Sequence, residues 1–147
     1  MKLLYHMGLG LSIAKTSRKI NFEDMQWCIL NQPNIIISTL KIEKQGCLIA
    51  GTISASEETD IINKYLQTDS SIRIIIYGEN ASDDTIIAKY TQLTGLGFSN
   101  VYIYPGGMFE WLLLQDIYGT DLFKTMGSEV DILKYKGSRH LGVLMLQ

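Results

Sequence analysis

The sequence predicts a single α/β domain, and three observations carry that prediction. Apolar, largely β-branched runs recur at "NIIIS" (34–38), "IRIIIY" (72–77) and "VYIY" (101–104), with helical patterns between them. The near-continuous isoleucine run of 72–77 is the pattern of a central parallel strand covered on both faces. The joints are short and built from Asn, Gly, Pro, Ser and Asp. Strand, helix, strand with short joints is a βαβ unit, whose crossover is right-handed.

Each element has a local reason. Residues 1–20 show no sustained period and read as a flexible basic N-terminal arm. Asn21 is placed to cap a helix over "FEDMQWCILN", with Glu23 and Asp24 in its first turn and Phe22, Met25, Cys28 and Ile29 on one face. Pro33 forbids its continuation. "CLIAGTI" (47–53), interrupted by Gly51, reads as a minor strand or an extended crossing. Ser54 and Glu57 fit a capping box for the next helix, which would bury Ile61, Ile62, Tyr65 and Leu66. Ser82, with Asp83 and Asp84 behind it, predicts a second helix start: a capping hydroxyl and two anions at the positive end of the dipole. Ile86, Ile87, Tyr90 and Leu93 would face the core, and Gly95 or Gly97 would end the helix. After "PGG", the run "MFEWLLLQDIY" is apolar almost all round and predicts a well-buried helix. No repeat or linker divides the chain, so the organisation expected is an arm (1–20), a domain (21–125) and a C-terminal extension (126–147).

Composition narrows the function classes. With 147 residues, 46% hydrophobic and 19% charged, the chain can bury a sound core and is not of the disordered type. No uninterrupted apolar run reaches the roughly 18 residues of a bilayer span, and "MKLLYH" is too short for a secretory signal. Two cysteines, Cys28 and Cys47, fit a reducing, intracellular and cytoplasmic setting better than a disulfide framework. The net charge of −2 is unevenly spread: basic ends (Lys2, Lys15, Arg18, Lys19; Lys134, Lys136, Arg139) flank an acidic body. That body lacks the basic face that nucleic-acid binding requires, so a nucleic-acid partner is not expected.

The candidate chemistry is sparse. "GLGLS" (8–12) follows no strand and lacks the third glycine of a dinucleotide loop. His6 and His140 stand at opposite ends, no metal-ligand spacing occurs, and neither a metal nor a cofactor is expected. Cys47 reads as a structural thiol, with Lys44 its one basic neighbour in sequence. Met7-Gly8-Leu9-Gly10-Leu11-Ser12 fits the myristoylation pattern at Gly8 for a product starting at Met7, and Lys15, Arg18 and Lys19 would add the basic second signal for peripheral membrane contact. A chain that starts at Met1 leaves Gly8 internal. The apolar tail "LGVLMLQ" (141–147) could pack on the domain or meet another chain.

Three segments together resemble the rhodanese-like (Cdc25/rhodanese homology) domain family. "GCLIAGTI" (46–53) is similar to its "GHIxGAI" segment, through Gly46, Gly51 and Ile53. "IIIYGENASDD" (74–84) stands where the family has a strand and its active-site loop, Y-C-x-x-G-x-R-[ST]. "LGFSNVYIYPGGMFEW" (96–111) resembles "LGFxNVYxLxGGxxxW", with Gly97, Phe98, Val101, Gly106, Gly107 and Trp111 in place. "FEWLLLQDIYG" also resembles rhodanese-like proteins of large DNA viruses. The resemblance covers roughly residues 21–115 and implies a parallel sheet of about five strands with helices on both faces.

It also implies a site, the loop Gly78, Glu79, Asn80, Ala81, Ser82, Asp83 and Asp84, and this chain departs from the family there. Gly78 stands at the cysteine position, Asp83 (or Asp84, one register on) at the arginine position, and Ser38-Thr39-Leu40 at the family's Asp-x-Arg. Sulfur transfer and the related phosphatase chemistry need a thiolate held by backbone N–H groups at a helix N-terminus. Glycine supplies none, and Glu79, Asp83 and Asp84 repel an incoming anion. The reading is a catalytically inactive domain that binds protein partners as a scaffold or regulator, its carboxylates filling the anion site. The alternatives are a hydrolase or metal-dependent enzyme using Glu79, Asp83 and Asp84, or a residual sulfurtransferase.

Overall fold

In the computed structural model, which describes residues 17–142, the chain order is α1 (Phe22–Leu30), β1 (Ile35–Ser38), β2 (Leu48–Ile49), α2 (Glu58–Thr68), β3 (Ile74–Tyr77), α3 (Thr85–Leu96), β4 (Val101–Tyr104), α4 (Gly107–Tyr118) and β5 (Thr125–Met126). Short 3-10 turns lie at Ile42–Lys44 and Ile132–Tyr135. Strands β1, β3 and β4 form a parallel sheet in the order β1-β3-β4, with Ile36 opposite Ile75 and Ile75 opposite Tyr102. β2 and β5 make a separate antiparallel pair.

Among the described residues the regular parallel sheet therefore has three strands, fewer than the five or so that the resemblance implies. Single parallel bridges extend both edges, Thr52 against Ile36 on one side and Lys19 against Ile103 on the other. The outer segments leave the sheet after one pairing, so they do not count as strands. Residues 18–20, read from sequence as arm, pair with β4: Ile20 N–H donates to Ile103 O (2.9 Å) and Ile103 N–H to Arg18 O (2.8 Å). Gly8 and most of the arm, like residues 143–147 of the tail, lie outside the described residues.

The isoleucine run explains the layering. Ile74, Ile75 and Ile76 are fully buried, and successive side chains point to opposite faces. Ile75 joins Met25, Cys28, Met108, Trp111 and Leu112 in one cluster, beneath α1 and α4. Ile74 and Ile76 join Ile62, Ile86, Tyr90 and Leu93 in the other, beneath α2 and α3. Burying each such side chain stabilises the fold by about 1.5–3 kcal/mol before chain entropy is charged against it.

Helix starts divide into one success and two corrections. Asn21 caps α1 in a reciprocal capping box: its side chain accepts the Asp24 N–H (3.0 Å), and Asp24 accepts the Asn21 N–H (3.1 Å). The box expected at Ser54 and Glu57 does not form. Ser54 Oγ meets Ser56 Oγ (3.2 Å), its carbonyl accepts the Glu57 N–H (3.0 Å), and this turn delays α2 to Glu58. Ser82 does not cap α3 either, because the chain makes another turn before Thr85. Gly97 ends α3 in the left-handed conformation (φ +116°), as expected of Gly95 or Gly97.

Two burial expectations also fail. Ile87 is exposed while Ile86, Tyr90 and Leu93 are buried, since α3 covers the sheet with a narrow stripe. α4 buries Met108, Trp111 and Leu112 but leaves Leu113, Ile117 and Tyr118 exposed. It packs on one side of the sheet, so its apolar run has only one face to hide.

Candidate functional site: the loop between β3 and α3

β3 ends at Tyr77, a fully buried phenol whose oxygen accepts the Ile49 N–H (3.0 Å) and hydrogen-bonds the Thr52 hydroxyl (2.8 Å). Burial pushes this phenol far above its usual range, so it stays neutral. The network ties the end of the central strand to the crossing at 49–52, which fixes where the next residue, Gly78, begins the loop.

The loop is clamped from one side by the turn into α4. Met108 N–H donates to Gly78 O (2.9 Å) and Phe109 N–H to Glu79 O (2.8 Å). Gly107 has φ +67°, and a Cβ there would lie 2.7 Å from Gly78 O and 2.9 Å from Asn80 N. Gly107, the second "PGG" glycine, therefore lets two backbones touch.

The interior of the loop is filled by Asp83. Its Oδ2 accepts the Glu79 N–H (2.9 Å), and its Oδ1 accepts the Thr85 N–H (3.0 Å) and lies 2.5 Å from the Thr85 hydroxyl. The Thr85 hydroxyl is also 2.7 Å from Thr39 Oγ1. A Cβ on Gly78 would fall 2.3 Å from Asp83 Oδ2 and 2.9 Å from Thr39 Oγ1. The carboxylate thus takes one backbone donor in the loop (Glu79) and the first one of α3 (Thr85), and occupies the space a side chain at 78 would need.

The other loop residues go elsewhere. Glu79 forms an ion pair with Lys44, which also donates to Lys134 O (3.3 Å). Asn80 Oδ1 accepts the Ser82 N–H (2.9 Å) and its Nδ2 donates to Tyr135 O (2.9 Å). Ala81 and Ser82 form the exposed turn, and Asp84 is the exposed N-cap residue of α3 with no side-chain cap bond. The three carboxylates offered by the sequence as an acid–base or metal set thus diverge. Among the described residues no cluster of three or more His, Cys, Asp or Glu is placed to hold a metal ion.

Electrostatics follow the geometry. Burial pushes the Asp83 carboxyl up. Hydrogen bonds from the Thr85 hydroxyl and the Glu79 and Thr85 N–H groups, with Lys44 nearby, outweigh it and hold the group below the usual carboxylate range. A depressed folded pKa stabilises above the unfolded value of about 3.9, and that contribution disappears as pH falls through the folded value. Urea unfolding between about pH 5 and pH 3 should therefore show a steeper loss of stability for the wild type than for Asp83→Asn. Equal slopes would remove Asp83 as an acid-sensitive group.

The cysteines sit apart from the loop interior. Both are free and buried, and burial pushes both thiols up, away from the thiolate form. Lys44, the basic neighbour of Cys47 in sequence, is engaged with Glu79. Sequence reasoning missed three participants: Lys44, Thr39 and the segment around Tyr135. Thr39 falls in the segment matched to the family's Asp-x-Arg, which was a usable signal. Nothing local marks Lys44 or Tyr135, whose partners lie 35 and 55 residues away.

Comparison with known proteins places this architecture. The profile of the rhodanese-like domain matches residues 35–114, from the start of β1 into α4. The chain belongs to the rhodanese-like domain family. Among solved structures it is similar to the BH2092 protein from Bacillus halodurans (16% identity, 97% of this chain and 98% of that one, TM-score 0.55). It is also similar to Saccharomyces cerevisiae Ygr203w, described as a homolog of single-domain rhodanese and the Cdc25 phosphatase catalytic domain (14% identity, 82% and 93% covered, TM-score 0.54). A third likeness is to thiosulfate sulfurtransferase from Pseudomonas aeruginosa (18% identity, 69% of this chain and 20% of that one, TM-score 0.55). At these identities the likeness is one of fold. Comparison with curated protein sequences finds no match. Among the described residues no helix is long and apolar enough to cross a membrane.

Proposed function

We propose that this chain is a rhodanese-like domain without sulfurtransferase or phosphatase turnover, serving as a protein-binding, scaffolding or regulatory module. One observation carries the reading: the Asp83 carboxylate occupies the loop interior, against the position where a side chain at Gly78 would project. Covalent transfer of sulfane sulfur or phosphoryl needs a nucleophile there and donors free to receive the anion. Glycine has no nucleophile, and the Glu79 and Thr85 N–H groups already serve Asp83. A thiosulfate or aryl phosphate would also meet like charge in a partly water-excluded loop.

The test is direct. Purified chain is assayed for thiocyanate formation from thiosulfate and cyanide, and for aryl phosphate hydrolysis, beside Cys28→Ser and Cys47→Ser. The expected rate equals the buffer rate for all three proteins. Turnover that either substitution abolishes would sink the reading, because it would identify a working thiol. Placement on a membrane face is a separate proposal, resting on the Gly8 pattern. It is checked by the intact mass of the N-terminal peptide from native material, and an unmodified chain retaining Met1 excludes it.

A further inference from the structure

The segment after β5 returns across the mouth of the loop. Of residues 131–140 only Tyr135 is buried, and it sits in the core cluster with Cys47, Leu48, Met108 and Leu112. Two consecutive carbonyls of this strap are held by the site: Asn80 Nδ2 donates to Tyr135 O (2.9 Å) and Lys44 Nζ to Lys134 O (3.3 Å). Further on, Lys136, Ser138 and His140 line a cleft with Glu79, Asn80, Ser82, Asp83 and Asp84. Past Asp131 the strap carries Lys134, Lys136 and Arg139 and no acid, whereas the loop carries three carboxylates and no cation. The strap contacts the loop as a peptide ligand would: one aromatic anchor in a socket, two carbonyls on side-chain donors, and Lys136 in the cleft beside the loop's carboxylates, while Lys134 pairs with Glu129 (2.8 Å).

We propose that residues 131–140 are an autoinhibitory strap, and that the partner of this domain is a short basic segment with one aromatic residue that takes the strap's place. The inference rests on the binding-module reading and gives it a ligand class. A strap with one buried side chain opens at lower free energy than the sheet beneath it. Tethered by a short linker, it faces its socket at an effective concentration on the order of millimolar, so an external segment competes poorly while the anchor is intact.

The experiment uses the full chain and a fluorescein-labelled peptide of residues 129–142 as the probe. Polarisation should show the peptide binding Tyr135→Ala at least about tenfold more tightly than wild type, and Asn80→Ala in that background should weaken it again. A folded Tyr135→Ala chain that binds no better than wild type overturns the proposal. Should Tyr135→Ala not fold, amide exchange on wild type decides. The Lys134 and Lys136 N–H groups, bonded within the strap to Asp131 O and Leu133 O, are expected to exchange faster than β1, β3 and β4. Exchange only by global unfolding overturns the strap as a movable element. Thiol-dependent turnover in the separate assay would fail the module reading and leave these measurements unchanged, so the two failures are distinguishable.

Discussion

Replacing Gly107 with alanine is expected to cost about 3 kcal/mol of stability, the largest effect of any single methyl group near the site. Two costs combine. A side chain in the left-handed region loses about 1–2 kcal/mol relative to glycine, and Gly107 has φ +67°. The new Cβ would also lie 2.7 Å from Gly78 O, 2.9 Å from Asn80 N and 2.9 Å from Glu79 C, all backbone atoms that cannot rotate away. Separating the two backbones stretches the Met108–Gly78 and Phe109–Glu79 hydrogen bonds, so the loop loosens along with the fold. Urea unfolding measures the first effect and amide exchange at residues 79–85 the second. A stability change below about 0.5 kcal/mol would show that the two backbones are not in obligatory contact.

Replacing Gly78 with alanine is expected to cost about 2 kcal/mol, through a different route. Its backbone is not in the left-handed region, so alanine is acceptable there. The obstacle is a side chain: Asp83 Oδ2 at 2.3 Å from the new Cβ. The carboxylate can swing away, but it then gives up the Thr85 N–H to water and leaves the part-buried Glu79 N–H without its partner. In an Asp83→Ser background those bonds are already gone, and Gly78→Ala should be neutral or slightly stabilising, as alanine for a compatible glycine usually is. A double-mutant cycle should give a coupling of about 1–2 kcal/mol, and simple additivity would contradict the contact. Gly78→Cys alone should give a poorly reactive thiol. A thiol beside the Asp83 carboxylate is held protonated, so iodoacetamide at neutral pH should alkylate it more slowly than it does in the Gly78→Cys/Asp83→Ser chain.

Backbone donors that face into a loop are costly to bury unpaired. Here one carboxylate satisfies two of them. Gly78 leaves the room that the Asp83 carboxylate fills.

The sequence determined the frame because the frame rests on local pattern. The isoleucine run of β3, the cap at Asn21 and the stop expected at Gly95 or Gly97 each follow from residues within four positions of one another, and each appears in the structure, the stop at Gly97. The family was legible for the same reason, through contiguous glycine and aromatic spacing from Gly97 to Trp111. Where the sequence misled, a longer-range competitor won. Ser82 looks like a cap until Asp83 turns inward and takes the Glu79 and Thr85 N–H groups. The helix at 107–118 looks buried until it is seen to have a single face against the sheet.

The absence of a cysteine and the presence of three carboxylates at 78–84 were fixed by the sequence alone. Their division of labour was decided only by tertiary structure. Glu79 turns to Lys44, Asn80 holds the strap at Tyr135, and only Asp83 enters the loop. Those partners come from 35 and 55 residues away along the chain, and no periodicity or spacing encodes which acid meets which donor. Side-chain pairing across such separations is set by how the packed sheet and its covering segments bring the groups together, and that becomes determinate only once the core has formed.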